Sequence, residues 1–429
     1  MTPVPQLTAL LAPDPALPRR DDLLDGTLVG ARLRELWGEG GGRAAGSCTR
    51  VRATYRRGES LRTTYRIEDV AGARLVSARM FTASRASAKF VQGRDDAIRR
   101  GASSASVLFD DSLDTVFWVF PEDRKLRGLA ELTSPSPATR AMLAEPWSRS
   151  ELLAYTPEKA ATVRCEDASG GVVGYAKVQV GDEGRRSVAV LRAARRGITD
   201  AGPLRLPDAV AYLADRHMAL FTPAPGLPLH QLPRERLPEA MAALGAGLEV
   251  LHRQPTDGFA PFTRLDPGRL GAAAEVLQLA RPDLAPLVQS LVDGLLLSPP
   301  MRGEPVLLHG DLHPKNVLVH DAGISLVDLD QAGAGPAAAE IGGMLARLWC
   351  PRPGDEITDE TAAAAADAFL ASYGQAPGDR DLLWYAAAAL LVERAARAVH
   401  RVDVRTLAVL EQVLATALRW TEDRADGRP

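Results

Sequence analysis

Residues 306–330 read VLLHGDLHPKNVLVHDAGISLVDLD. His309, Asp311 and Asn316 fall in one polar loop between the apolar runs 306–308 and 317–319, and a third run, 324–327, leads into Asp328. Short apolar runs parted by tight polar turns predict buried strands, so a base, an amide and a carboxylate gather around one point. Phosphoryl transfer from a magnesium nucleotide uses such a set. Asp311 would accept, or orient, the proton of an attacking hydroxyl, a contribution of roughly 10²–10⁴-fold. Asn316 and Asp328 would bind Mg²⁺, which needs few protein oxygens when phosphates and water complete its shell. The competing assignment is a polar turn whose Asp and Asn bond only to backbone.

The elements that must position these residues divide unevenly along the chain. From Arg50 the apolar period is two, in VRATYRRG, LRTTYRIED and ARLVSARMF, which predicts a three-strand meander with turns at Arg57-Gly58 and Ala71-Gly72. TVFWVF, 115–120, is another strand. The pattern recurs about 100 residues on, with strands over 151–155, 161–166 and 174–180; Tyr155 echoes Tyr55, and Ala176-Lys177 echoes Ala78-Arg79. This suggests a degenerate duplication. A helix over 185–196, a strand over 218–222 and a hinge-like turn at Pro223-Ala224-Pro225-Gly226 follow. Beyond Leu232 the period is helical, with Met241, Leu244, Leu248 and Leu251 on one face of 238–252. Helices are expected over 270–280, 284–297, 337–349, 359–373, 382–400 and 404–420.

Composition narrows the class. At 429 residues more than one domain is expected. A hydrophobic content of 46% with 24% charged residues is that of a globular chain, and a net charge of −3 gives no footprint for nucleic acid. Three distant cysteines, Cys48, Cys165 and Cys350, give neither a zinc spacing nor a disulfide framework, so a cytoplasmic setting is expected. No targeting peptide or membrane span is expected. Five lysines stand against 46 arginines, with one asparagine, a bias of high-GC, actinobacterial type.

HGDLHPKN resembles the catalytic loop of the aminoglycoside phosphotransferase and choline kinase superfamily, relatives of the protein kinases, and LVDLDQAGAGPAAAEIG resembles the metal-binding segment after it. The resemblance implies an α+β, bilobal protein-kinase-like fold: a β-rich cap (1–147), a β-rich N-lobe with hinge (148–226) and a mostly helical C-lobe (227–429). It implies that Asp311 is the catalytic aspartate, that Asn316 and Asp328 bind Mg²⁺, and that His309 buttresses the loop. His313 would shape the loop or reach the phosphate, and Lys315 is a solvated turn residue. Lys177, mid-strand in YAKVQV, would contact the α- and β-phosphates of ATP (or GTP). The glutamate that usually pairs with this lysine from the following helix is absent, leaving Glu183 at the helix start or a carboxylate from elsewhere. Adenine would lie against the hinge, at Phe221, Pro223 and Ala224. Glu340 stands where the family commonly has a helix-capping acid.

The acceptor implied is a small-molecule hydroxyl: an amino sugar, an aminoglycoside-like antibiotic or a sugar, with choline or a nucleoside as alternatives. Asp355, Glu356, Asp359, Glu360 and Asp367 are read either as lining for a cationic substrate or as an acidic helix start. The first 150 residues resemble the cap of actinobacterial maltokinases and glucosamine kinases. Those commonly carry glutamine where this chain has Asn316, so the chain is not assigned to them. A protein kinase is disfavoured, because a helix follows Asp328 with no room for an activation segment. A non-catalytic nucleotide-binding module is the other alternative, and the chain is expected to be a monomer or homodimer.

Overall fold

The computed structural model describes residues 10–38, 47–69, 72–82, 85–199, 201–301, 303–350 and 357–425. Ala71 of one expected turn, most of the 38–46 loop, and Asp355 and Glu356 lie outside the described residues. The chain forms two compact units. The first comprises 1–184, 213–219 and 398–404; the second comprises 185–212, 220–397 and 405–429.

The first unit holds a five-stranded antiparallel sheet: β1 (Ser47–Arg56), β2 (Ser60–Asp69), β3 (Gly72–Phe81), β4 (Val107–Asp110) and β5 (Thr115–Val119), in the order β1-β2-β3-β5-β4. Alternation sends Tyr65, Ile67 and Val76 inward, where all three are fully buried. The helix Ala86–Arg99, between β3 and β4, is not anticipated by periodicity. Its buried positions are Ala86, Gly93 and Ala97, too small to register as an apolar stripe. A Cβ at Gly93 would stand 3.2 Å from the Trp118 indole nitrogen, so glycine lets the helix lie close to β5.

A second antiparallel meander follows: β6 (Arg149–Thr156), β7 (Ala160–Glu166) and β8 (Val172–Gln179). The two meanders match in detail. Each first strand has a register shift, at Arg50/Arg52 and at Leu152/Ala154. Each is clasped by an aspartate. Asp14 Oδ2 accepts the Tyr55 hydroxyl (2.7 Å) and the Gly58 N–H (2.9 Å). Asp123 Oδ2 accepts the Tyr155 hydroxyl (2.7 Å) and the Glu158 N–H (2.9 Å). Gly58 and Glu158 share the left-handed backbone, at φ 72° and 61°.

They differ at one point. Glycine ends the first clasp, whereas Glu158 sends a buried carboxylate among Arg79, Arg124 and Arg62. Burial alone would raise the Glu158 pKa, but the Arg124 and Arg79 guanidiniums outweigh it and hold it at about 2. Removing one partner of a buried pair strands the others. Glu158→Gln should therefore lower unfolding free energy at pH 7 by about 3 kcal/mol in urea titrations. Because the folded pKa is depressed, this contribution is complete above the unfolded carboxylate value. The gap between wild type and variant should close as pH falls through the folded value of about 2.

The second unit is organised on the helix Leu237–His252. Met241, Leu244, Leu248 and Leu251 are fully buried against Leu307, Val317, Leu326 and Phe369, the face that periodicity marks. Gly245 permits close packing on the helix Asp359–Tyr373, since a Cβ there would fall 2.3 Å from the Phe369 carbonyl. Two small sheets carry the polar loops: Val317–His320 pairs with Gly323–Leu326, and Val306–Leu308 pairs with Gly333–Gly335. The expected helix over 382–400 is interrupted. Asp379–Ala389 runs into a π-helical turn, Leu390–Ala396, before Arg397–Arg401. The expected helix over 404–420 is two, Val404–Ala408 and Leu410–Ala425. Strands concentrate in the N-terminal part and helices beyond it, an α+β architecture. No helix among the described residues is long and apolar enough to cross a membrane.

Candidate active site

The loop between Val306–Leu308 and Val317–His320 is held from below by one buried carboxylate. Glu340, in the first turn of the helix Ala337–Trp349, accepts the backbone N–H of His309 (Oε2, 2.9 Å) and of Gly310 (Oε1, 2.8 Å). Its Oε2 also meets His252 Nε2 at 3.1 Å, and His252 Nδ1 lies 2.7 Å from the Tyr373 hydroxyl. Burial opposes the Glu340 charge, but His252 and the donors from residue 309 hold its pKa below the ordinary value. Gly310 is obligatory at its place: φ is 78°, and a Cβ would meet the Gln331 carbonyl at 2.0 Å.

His309 is completely buried and ties the loop to the segment after the third strand. Its Nε2 lies 2.9 Å from the Val327 carbonyl, and its Nδ1 accepts the Asp311 N–H at 3.3 Å. These partners fix the tautomer: Nε2 carries the proton and Nδ1 is the acceptor. The next residue, Asp328, stands exposed in the left-handed region at φ 66° and ψ 50°. Non-glycine residues seldom adopt that backbone, and those that do cluster where a side chain must be aimed.

Asn316 is buried. Its Nδ2 donates to the Asp311 carbonyl (3.1 Å), its N–H to the His313 carbonyl (2.8 Å), and its own carbonyl accepts from Val327 N–H (3.0 Å). With the amide nitrogen so engaged, Oδ1 is the end left for a cation. An amide oxygen and an exposed carboxylate fit Mg²⁺, which takes most of its oxygens from phosphate and water. Among the described residues no group of three or more His, Cys, Asp or Glu could form an all-protein cage.

Asp311 is not isolated. Its Oδ1 accepts from Arg264 Nη1 at 2.8 Å, and His313 Nε2 is 3.9 Å from Oδ2. Burial would raise the Asp311 pKa; Arg264 above all reverses this and carries it well below the carboxylate range. Burial pushes His313 down to about 4, with Asp311 opposing and Arg347 adding to the fall. At neutral pH the loop therefore presents an anionic Asp311 and a neutral His313. His313 also shapes the loop, its Nδ1 accepting the exposed Lys315 N–H at 3.2 Å. Arg264 Nη1 reaches Glu393 Oε1 at 3.4 Å, and Glu393 Oε2 accepts from Arg347 Nη2 at 2.9 Å.

Among the expected site residues, His309, Asp311, His313, Asn316 and Asp328 are gathered in the second unit. Phe221, half-buried against that unit's core, Pro223 and Ala224 belong to it as well. Their turn is fixed by Thr222 N–H on the Asp208 carbonyl (3.0 Å) and Ser325 Oγ on the Pro225 carbonyl (2.8 Å). Lys177 is half-buried mid-β8, opposite Thr162, in the first unit; Glu183 is exposed at the start of the helix Glu183–Arg195. Asp359, Glu360 and Asp367 are exposed on the helix Asp359–Tyr373, whose N-terminus Thr358 caps. Arg264, Arg347 and Glu393 carry no motif, and neither does the Glu340–His252–Tyr373 chain. Their partners are remote in sequence.

Residues 182–377 match the family model described as the phosphotransferase enzyme family. No curated protein matches the chain. Among solved structures, a thermostable variant of aminoglycoside phosphotransferase APH(4)-Ia in ternary complex with AMP-PNP and hygromycin B aligns at 16% identity and a TM-score of 0.50. That alignment covers 67% of this chain and 99% of the other. Spectinomycin phosphotransferase APH(9)-Ia with ADP and spectinomycin aligns at 13% identity and TM-score 0.45, covering 65% and 94%. The streptomycin–ATP–APH(2″)-IIa complex aligns at 14% and 0.45, covering 64% and 93%.

Glu340→Ala should release the 309–310 amides into a dry interior. An unfolding free energy lower by about 3 kcal/mol is expected from chemical denaturation.

Proposed function

We propose that this chain, whose residues 182–377 match the phosphotransferase enzyme family, is a small-molecule kinase that transfers the γ-phosphoryl group of ATP (or GTP) to a hydroxyl of a sugar-like small molecule. The observation that carries this reading is the loop itself. His309 bonds to the Val327 carbonyl beside Asp328, and Asn316 bonds to the Asp311 carbonyl, so one hydrogen-bonded frame holds the three polar side chains.

In that frame Asp311 orients the acceptor hydroxyl. The hydroxyl oxygen bonds to the γ-phosphorus, the bond from phosphorus to the β,γ-bridging oxygen breaks, and the nucleoside diphosphate leaves. The hydroxyl proton passes to Asp311 and on to solvent. The low basicity of Asp311 suits a dissociative transition state, in which the nucleophile loses its proton late. Asn316 Oδ1 and the Asp328 carboxylate would hold Mg²⁺, which when bound neutralises charge on the donor's phosphates. Lys177 is assigned to those phosphates, and the backbone of 221–226, with Phe221, Pro223 and Ala224, to the purine. Glu183 is the acid assigned beside Lys177. The hygromycin B named with AMP-PNP in the aligned APH(4)-Ia complex supports a hydroxyl-rich acceptor here.

Two variants test the roles. Asp311→Ala should reduce turnover by at least about 10²-fold in a coupled nucleotide-consumption assay while the nucleotide Kd stays within twofold; wild-type turnover would exclude Asp311 from the chemistry. Asp328→Ala should abolish the magnesium dependence of nucleotide binding in calorimetry, and an unchanged magnesium dependence would reject its place as a ligand.

A further inference from the structure

The surroundings of Asp311 carry more positive charge than the catalytic loop accounts for. Four guanidiniums, Arg264, Arg347, Arg394 and Arg397, influence one another or Asp311 across this part of the second unit. Two carboxylates, Asp311 and Glu393, bond directly to this group. Arg264 bridges both, and Glu393's second oxygen is taken by Arg347. Arg394 turns its Nε to the Cys350 sulfur at 3.4 Å instead. Glu393 and Arg394 sit in the π-helical turn Leu390–Ala396, and Arg397 follows it directly. Such turns replace regular helix where side chains are brought to a site.

Arg347 is the most telling member. Its side chain is only 10% exposed, yet its Nε is buried without a hydrogen-bond partner. Burial lowers its pKa; Glu393 opposes this, while Arg397 and Arg394 push the same way. A guanidinium so placed is under-compensated, and a buried donor left unmade is costly. The natural complement of forked N–H donors is a planar carboxylate or a phosphoryl group. A polycation brought to the same place would meet like charge.

We infer that the acceptor of this kinase carries an anionic group, a carboxylate or a phosphoryl, which Arg347 and Arg397 hold beside Asp311. This rests on the phosphotransferase reading and narrows it. The hydroxyl comes from a sugar acid or sugar phosphate rather than from a polycationic antibiotic. The anionic group is an anchor and takes no part in bond making.

The test is calorimetry on the full chain with MgADP bound, using glucuronate and glucose 6-phosphate as anionic probes, glucose as the neutral one, and glucosamine and kanamycin as cationic ones. At least one anionic probe should bind about tenfold or more tighter than the other three. Tighter binding of glucosamine or kanamycin, or no binding of either anionic probe, would overturn the inference. Arg347→Gln should weaken the anionic probe by about tenfold or more and leave MgADP within twofold. A loss falling on MgADP instead would mean that the arginines serve the donor, and would overturn it too. Arg347→Lys, which keeps the charge but not the fork, should restore part of the binding. Should Arg347→Gln fail to fold, Arg397→Gln gives the same readout from a half-exposed position. The sources of failure separate. If wild type binds MgADP but prefers cations, the anion inference alone falls. If it does not bind MgADP, the phosphotransferase reading falls and this inference with it.

Discussion

One carboxylate decides whether the catalytic loop exists as a shape. Glu340 is buried, and its two oxygens accept the amides of His309 and Gly310 and meet the His252 ring. A buried anion survives only with every lone pair engaged, and here each engagement is also a geometric instruction. The amides fix where the loop leaves its strand. His252 fixes the loop to the helix at the centre of the second core, and Tyr373 extends that tie to the helix packed on it. From this base His309 reaches up to Val327, which sets the backbone of Asp328. The polar site is the exposed end of a hydrogen-bonded column rooted in the apolar core.

Above that base lies an electrostatic asymmetry. The loop offers Asp311 to solvent, while arginines crowd it from the side. The aspartate is thereby kept ionised and weakly basic, which suits the proposed role of holding a hydroxyl in line. The same arginines are the proposed anchor for an anionic acceptor. On that proposal, orientation of the hydroxyl and recognition of its bearer are coupled through Arg264, which touches Asp311 and Glu393 at once.

Much of the site was legible because the chain is sparing with certain residue types. A lone asparagine, five lysines and a His–Asp–Asn spacing between apolar runs stand out in this composition. The core face of Leu237–His252 was legible because leucines at helical spacing leave a strong periodic mark. The arginine cluster was not, since any one of 46 arginines reads as surface. Nor was the Glu340 column, whose members are joined across separations of 31, 88 and 121 residues. The helix Ala86–Arg99 escaped because alanine and glycine make its buried face. The π turn escaped because a change of hydrogen-bond ladder leaves no trace in hydropathy.

The membership of residues 398–404 in the first unit bears on the order in which the protein is completed. The β1–β5 sheet uses only local chain and can close as soon as Val119 has left the ribosome. Yet its first strand is also bonded by His400, whose Nδ1 donates to the Tyr55 carbonyl at 3.0 Å. At translation speeds of about 5–20 residues per second, tens of seconds separate those partners. For that interval the nascent chain carries a finished sheet with an unfilled hydrogen-bonding position. The first unit is therefore completed only by chain that emerges long after its sheet.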